Sequence, residues 1–516
     1  MPRVNLFGDT GESWNDSISA SECVNMVPFL SNTKNTLVFD TMPGLETYYE
    51  TATGTDEIQA VFLMPNSSFS GFAARTFFLK SSSGVTTVNT LEDDLTTVNV
   101  LGTFTSPGIE GYAFAYDKSE TGGKLLIIAN LSVSYAEITL NNDPASDSLS
   151  MKSSSIGFFN NINYFDGYFF VNVTDSNNSH RIHSTDFGTT TFSSLNYGDI
   201  TTKAGEIIRI EEDKRELWVF CEHHIEVWYN AGSSGFPLLR NPSVVIDIGL
   251  YARDSLVNFN GSMIFFGKNE VGKIGVYQLS GYSVEDITPG ILKRDISEAN
   301  SNYSNIKSSI ARAINLNNFQ LYVWSYTGAS QGTYAYNLNS GLWNKEESDS
   351  LSVSNYGRWT NISSSSLFTF GTNIGQLNIV VADKTSSVTE NRIDVYRTEA
   401  NYEPSDAGVK YKNFVMKSNF IQGEDNNQAI HKRLQIKFNP INTTLTLKVE
   451  FSDDEEVTWD VVGTFDISDT TKGLIDLYAL GASRKRIYRI TSVMGAVFTG
   501  QLTLTDAWLE LEQLNS

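Results

Sequence analysis

The sequence predicts an all-β protein, a β-propeller of six to eight blades followed by a C-terminal β-sandwich. Three observations carry that expectation. Helical periodicity is nearly absent, since few stretches hold apolar residues at i, i+3 and i+4 over three turns. Short aromatic and β-branched runs stand between Gly, Asn, Asp and Ser turns, as in Glu216-Leu217-Trp218-Val219-Phe220 and Phe319-Gln320-Leu321-Tyr322-Val323-Trp324. A turn followed by an aromatic strand also recurs near positions 75, 124, 168, 216, 262, 318 and 366. Four-stranded propeller blades repeat every ~40–50 residues and ~4–8 of them close a ring, so seven copies at this spacing fit. Ring closure supplies what a single blade lacks, a partner for each apolar face.

Taken along the chain, residues 1–55 fall outside the repeat. Polar turns around Val24-Asn25-Met26-Val27-Pro28 and Met42-Pro43-Gly44-Leu45 read as an arm or docking segment. Residues 56–398 hold the repeats, clearest in Phe165-Asp166-Gly167-Tyr168-Phe169-Phe170-Val171 and in Phe259-Asn260-Gly261-Ser262-Met263-Ile264-Phe265-Phe266. Residues 399–516 change character. Arg433-Leu434-Gln435-Ile436-Lys437-Phe438 and Leu445-Thr446-Leu447-Lys448-Val449-Glu450-Phe451 alternate apolar with polar, the pattern of a sandwich strand with one wet face.

Composition narrows the function. The 516 residues carry 37 basic and 59 acidic side chains, a net charge of −22 and a pI near 4.7. A surface that grips DNA needs clustered Lys and Arg, so duplex binding is not expected, although DNA could slide past. No apolar run approaches the ~18 residues of a membrane span; Leu125-Leu126-Ile127-Ile128-Ala129 is strand-sized. The opening Met1-Pro2-Arg3-Val4-Asn5-Leu6 lacks the apolar stretch of a signal peptide, so folding in a cytoplasm is expected. Cys23 and Cys221 are too few for a disulfide framework or a cysteine-rich zinc site.

No motif carries catalytic chemistry. Gly267-Lys268-Asn269-Glu270-Val271-Gly272-Lys273 has phosphate-loop spacing, but Ile274 stands where Ser or Thr must reach Mg²⁺, and a strand follows where a helix is needed. Gly328-Ala329-Ser330-Gln331-Gly332 has nucleophile-elbow spacing but lies between two strands, with His431 as the base that follows it. Both read as hairpin turns. Ser452-Asp453-Asp454-Glu455-Glu456-Val457-Thr458-Trp459 resembles the Asp-box of sialidase-type propellers, with Glu456 in place of the glycine. There the box shapes a turn, and a turn is expected here. His180 with His183 and His223 with His224 would face opposite sides of an extended strand, so neither pair suits a metal, and surface or turn positions are expected. No cofactor, metal or catalytic residue is assigned.

One basic run, Arg484-Lys485-Arg486-Ile487-Tyr488-Arg489, stands out in this acidic chain. Arg484, Lys485, Arg486 and Arg489 are the candidate interface residues, because charge complementarity could seat them on an acidic neighbour.

Several segments together resemble the tail hub or nozzle proteins of short-tailed phages, the packaged DNA stabilisation family. They are Val24-Asn25-Met26 with Pro43-Gly44-Leu45, then Ile207-Ile208-Arg209-Ile210 through Phe220 with Ile225-Glu226-Val227-Trp228-Tyr229. Lys485-Arg486-Ile487-Tyr488-Arg489-Ile490 and Gly500-Gln501-Leu502-Thr503-Leu504 complete the set. The resemblance implies a virion protein assembled in the bacterial host cytoplasm as a homohexameric ring beneath the portal; with no catalytic signature among the motifs, an enzyme is not expected. Its implied partners are the adaptor, tail fibres or spikes and a plug or needle, with packaged DNA retained inside and passing through on ejection. The alternative is a propeller–sandwich adhesin or sialidase-like lectin, which would need Arg and aromatic groups converging on the propeller axis.

Overall fold

A computed structural model describes residues 3–513 with breaks, the longest being 8–22, 289–305 and 347–378. Strands dominate the described residues. Among them, six antiparallel four-stranded blades follow one another over 57–105, 112–153, 159–199, 207–246, 248–286 and 310–346, each running from first to fourth strand in sequence order. In the fifth, Ile248–Leu250 and Val257–Asn258 both pair with Ser262–Asn269 and together serve as the first strand. The repeat read from the sequence marks the second strand of each blade: Arg75–Ser82, Lys124–Ala129, Tyr168–Val173, Glu216–Cys221, Ser262–Asn269 and Phe319–Tyr326. These are the strands buried on both faces, hence the most apolar. The copy expected near Ser366 lies outside the described residues. Beyond blade 6 comes a three-stranded sheet of Ile379–Val381, Arg392–Arg397 and the N-terminal strand Gly44–Glu50. Tyr49 of that sheet packs its ring 5.1 Å from Phe78 of blade 1.

Aromatic side chains join the consecutive blades, as large planar groups do where flat sheets must mesh. Phe62 stacks on Phe114 between blades 1 and 2 at 5.1 Å, and Tyr135 meets Phe159 between 2 and 3 at 6.2 Å. Phe170 meets Phe236 between 3 and 4 at 6.2 Å, and Phe220 meets Phe265 between 4 and 5 at 5.4 Å. Phe266 lies flat on Trp324 between 5 and 6 at 4.8 Å. Polar clamps add direction. Arg75 of blade 1 donates to Asp147 of blade 2 at 2.5 Å, both side chains fully buried, and Tyr282 of blade 5 donates to Glu216 of blade 4 at 2.6 Å. Gly249 lets blade 5 close on blade 4, since a Cβ there would lie 1.9 Å from the Glu222 carbonyl oxygen.

The sandwich has two sheets. One runs Met26–Leu30, Leu37–Thr41, Thr503–Gln513, Ala429–Phe438, Leu474–Tyr478, with Arg3–Asn5 also on Thr503–Gln513. The other runs Cys23–Val24, Val415–Lys417, Lys485–Val493, Leu445–Ser452, Asp460–Ile467. Leu434, Ile436, Leu447, Val449, Ile490 and Leu509 fill the space between, joined by Leu6, Phe7, Met26 and Phe39 from the N-terminal segment. That segment therefore places strands in both sheets of the sandwich and in the sheet beyond blade 6. Val24 pairs with Lys345 on one side and Val415 on the other, making blade 6 and the second sandwich sheet continuous.

Candidate interaction surface

The basic strand lies against the acidic hairpin that joins Leu445–Ser452 to Asp460–Ile467. Ser452 and Asp454 build the turn. The Ser452 hydroxyl donates to Asp454 at 2.8 Å and accepts the Glu456 amide at 3.0 Å, while Asp454 accepts the Thr458 amide at 2.9 Å and its hydroxyl at 2.5 Å. The Thr458 hydroxyl bond, with the other donors, holds the Asp454 carboxyl down to about 2. Glu455 and Glu456 take φ of 61° and 73°, so the turn retains the left-handed backbone that a box glycine would supply. The Asp-box-like segment is thus a structural turn.

Around it the cations are matched one by one. Arg486 is buried and bidentate on Asp453, both bonds 2.6 Å, with a third to the Leu480 carbonyl at 2.6 Å. Its guanidinium lies 3.9 Å from the Phe451 ring centre. Lys485 donates to Glu455 at 2.7 Å and sits 3.6 Å over Phe420. Arg489 donates to Glu450 at 2.9 Å and covers Trp459 at 3.9 Å. Arg484 is exposed. Of the four candidate interface residues, Arg486 is the one whose side chain is buried, with its charge matched by Asp453 of the same chain. Lys485 and Arg489 are also compensated within the chain, which leaves Arg484 as the member of the run without an ion pair among the described residues.

The histidine expectation also changes. His223 is exposed in its turn, but His183, His224 and His431 are buried. His224 faces Glu226 at 3.4 Å, and Glu226 also accepts from Trp228 at 3.1 Å. His431 bridges the two sandwich sheets, with Ser483 Oγ 2.9 Å from Nε2 and Tyr488 Oη 2.9 Å from Nδ1. Burial, reinforced by Arg486, pushes its pKa down to about 4. Among the described residues no three His, Cys, Asp or Glu come together as a metal would require. No helix among them is long and apolar enough to cross a membrane. Cys23 and Cys221 are buried and unbridged.

The two chance motifs sit as expected where they are described. The 267–273 loop is a hairpin in which Asn269 accepts the Gly272 and Lys273 amides, and Lys273 Nζ pairs with Asp286 at 2.6 Å. Ser330 lies outside the described residues, between the antiparallel strands Phe319–Tyr326 and Gly332–Asn337. From the first strand of blade 4, Arg209 donates to the Arg253 carbonyl of blade 5 at 3.3 Å. Arg209 is bound by Glu211 and Arg253 by Asp254, both at 2.9 Å. Sequence reasoning missed Asp40, a buried carboxylate with one oxygen unbonded, whose pKa burial raises to about 6.

A family model described as Phage_stabilise, Bacteriophage P22 Gp10, beta-propeller, matches residues 17–378. The chain belongs to this family. It is accordingly a phage structural protein, and the Phage_stabilise match covers the six described blades together with part of the N-terminal segment. No curated protein matches the chain. Among solved structures it is similar to the WD40 β-propeller domain of Doa1, at 9% identity and TM-score 0.35, covering 68% of this chain and 97% of that one. It is similar to Saccharomyces cerevisiae Sqt1 at 11% identity and TM-score 0.33, covering 69% and 99%. It is also similar to exo-β-1,3-galactanase from Phanerochaete chrysosporium at 12% identity and TM-score 0.29, covering 77% and 96%.

Proposed function

We propose that this Phage_stabilise member is a tail nozzle or hub subunit. Six copies form a channel below the portal and adaptor, retain packaged DNA, anchor tail fibres or spikes and let the genome pass on ejection. Membership of the P22 Gp10 propeller family across residues 17–378 is the observation that supports this reading; it does not favour the glycan-binding alternative. The chain works without catalysis or cofactor, is assembled in the host cytoplasm and ends up in the virion.

Charge shapes the mechanism. Each copy carries −22, so six carry −132. A bore lined by part of that charge repels phosphates and keeps the duplex hydrated and mobile, where Lys and Arg would hold it by counterion release. Retention then falls to a plug or needle that closes the ring. The test is the particle mass of purified protein mixed with the phage adaptor, with a duplex-binding titration alongside. The ring should weigh six times the 57.2 kDa of one chain. Persistent monomer in the adaptor complex refutes the hexamer, and tight, salt-sensitive duplex binding refutes the non-gripping channel.

A further inference from the structure

We propose that the N-terminal hairpin of Met26–Leu30 and Leu37–Thr41 is a latch that ties closure of the propeller to completion of the sandwich. The inference rests on contacts within one chain and is independent of the ring assembly proposed above.

Each blade of a propeller needs a partner for both of its apolar faces. Blade 6 meets blade 5 on one face, where Trp324 lies on Phe266. Its other face is covered by the hairpin. Val27 and Met42 close over Ile314, Leu321, Val323 and Ala335, and all six side chains are buried. Polar contacts hold the hairpin in place, since the Pro28 carbonyl accepts from Asn337 at 2.9 Å and from Ser340 at 2.8 Å, both on blade 6. The strand that follows, Gly44–Glu50, pairs with Arg392–Arg397, and its Tyr49 reaches Phe78 of blade 1. Hairpin and strand thus run from blade 6 towards blade 1, the two described blades farthest apart in sequence.

The same hairpin belongs to the sandwich. Phe39 pairs with Leu504 and Asp40 with Thr503, while the Thr41 amide donates to the Leu502 carbonyl at 3.0 Å and its hydroxyl accepts the Leu502 amide at 3.2 Å. Met26 and Phe39 enter the sandwich core. Alternation along the strand therefore sends Val27 to blade 6 and its neighbour Met26 to the sandwich. Asn25, just before the hairpin, joins the parts. It is buried, with a φ of 56° that Asn tolerates better than most residues. Its amide donates to the Lys345 carbonyl of blade 6 at 2.9 Å, and its carbonyl accepts the Met42 amide at 2.8 Å. Its side-chain amide donates at 2.7 Å to the carbonyl of Asn413, beside the sandwich strand Val415–Lys417. A hairpin with one face in each unit cannot leave one without uncovering the other. Loosening the sandwich therefore exposes the hairpin-facing side of blade 6, whereas blades 3 and 4 keep the neighbours they have.

Hydrogen exchange of the full-length protein, read peptide by peptide in a mass spectrometer, tests the latch. Leu504→Ala thins the sandwich core beside Phe39. Exchange should quicken about tenfold or more at 429–438 of the sandwich, and with it at 26–30 of the hairpin and 319–326 of blade 6. Strands 168–173 and 216–221 of blades 3 and 4 should hold their wild-type rates. Asn25→Gly keeps the left-handed backbone and both cores but deletes the bond to Asn413. It should quicken 26–30 and 319–326 by a smaller factor, again sparing 216–221. Faster exchange confined to 429–438 in Leu504→Ala overturns the latch, and so does equal quickening in every blade. If Leu504→Ala does not fold, Asn25→Gly decides: wild-type rates at 26–30 and 319–326 refute the coupling.

Discussion

Replacing Asp40 by Asn should stabilise the sandwich at neutral pH and do nothing in acid. Asp40 lies on the N-terminal strand Leu37–Thr41, buried, with one carboxylate oxygen unbonded and a hydrogen bond with Thr503 on the other side. Burial raises its pKa from 3.8 to about 6. A raised carboxyl pKa means the folded state favours the protonated form. Below pH 3.8 both folded and unfolded chains hold the proton and the residue is silent. Between 3.8 and about 6 the unfolded chain releases its proton first, so stability falls as pH rises, and the loss is complete above 6. At ~1.4 kcal/mol per pH unit, the gap amounts to ~3 kcal/mol of destabilisation at pH 7. Asn cannot ionise, keeps an oxygen for Thr503 and is nearly the same size. Its amide still needs an acceptor, so the gain should be ~1–3 kcal/mol at pH 7, or several degrees in melting temperature for a unit of this size. Thermal melts of both proteins at pH 7 and pH 4 are the assay. Equal shifts at the two pH values, or no gain at pH 7, would refute the ionisation argument.

His431 should act in the opposite sense. Its folded pKa of about 4 lies below 6.5, so stability is lost as pH falls through that interval, on the order of 3 kcal/mol in total, and His431→Gln should flatten the acid limb of the sandwich melt. Gly249→Ala drives a methyl into the Glu222 carbonyl, and the propeller melt should fall by about 3 kcal/mol, the upper end of overpacking costs. Lys273→Ala removes an exposed ion pair with Asp286, so the melt should move by under ~1 kcal/mol and particle assembly should be unchanged. Ser330→Ala should likewise leave infectivity unaltered in a plaque assay.

What the sequence disclosed follows from how locally each feature is encoded. The second strand of every described blade was legible because burial on both faces forces a short apolar run between turns. The Asp-box-like turn was legible because its hydrogen bonds close within a single hairpin. Burial of His224 and His431 was not legible, since their partners and covers come from strands that pattern does not pair. The pairing of Arg486 with Asp453 was hidden for the same reason. Nothing in 484–489 shows that Asp453, on a hairpin well upstream, will fold back onto it. Asp40 and the N-terminal strands were the least legible, because their ladder partners stand at the opposite end of the chain, at Leu502–Leu504.

That last pairing bears on how the protein is made. Leu37–Thr41 and Arg3–Asn5 leave the ribosome long before Thr503–Gln513, the strand with which both pair. At ~5–20 residues per second, the early strands wait on the order of 25–100 s for their partner. Blades 1 to 6 are contiguous in sequence and can stack as they emerge, but the sandwich cannot form until its last strand has been synthesised. A chain truncated before residue 503 leaves Arg3–Asn5 and Leu37–Thr41 without the strand they pair with. Completion of this sandwich sheet therefore waits on the synthesis of Thr503–Gln513.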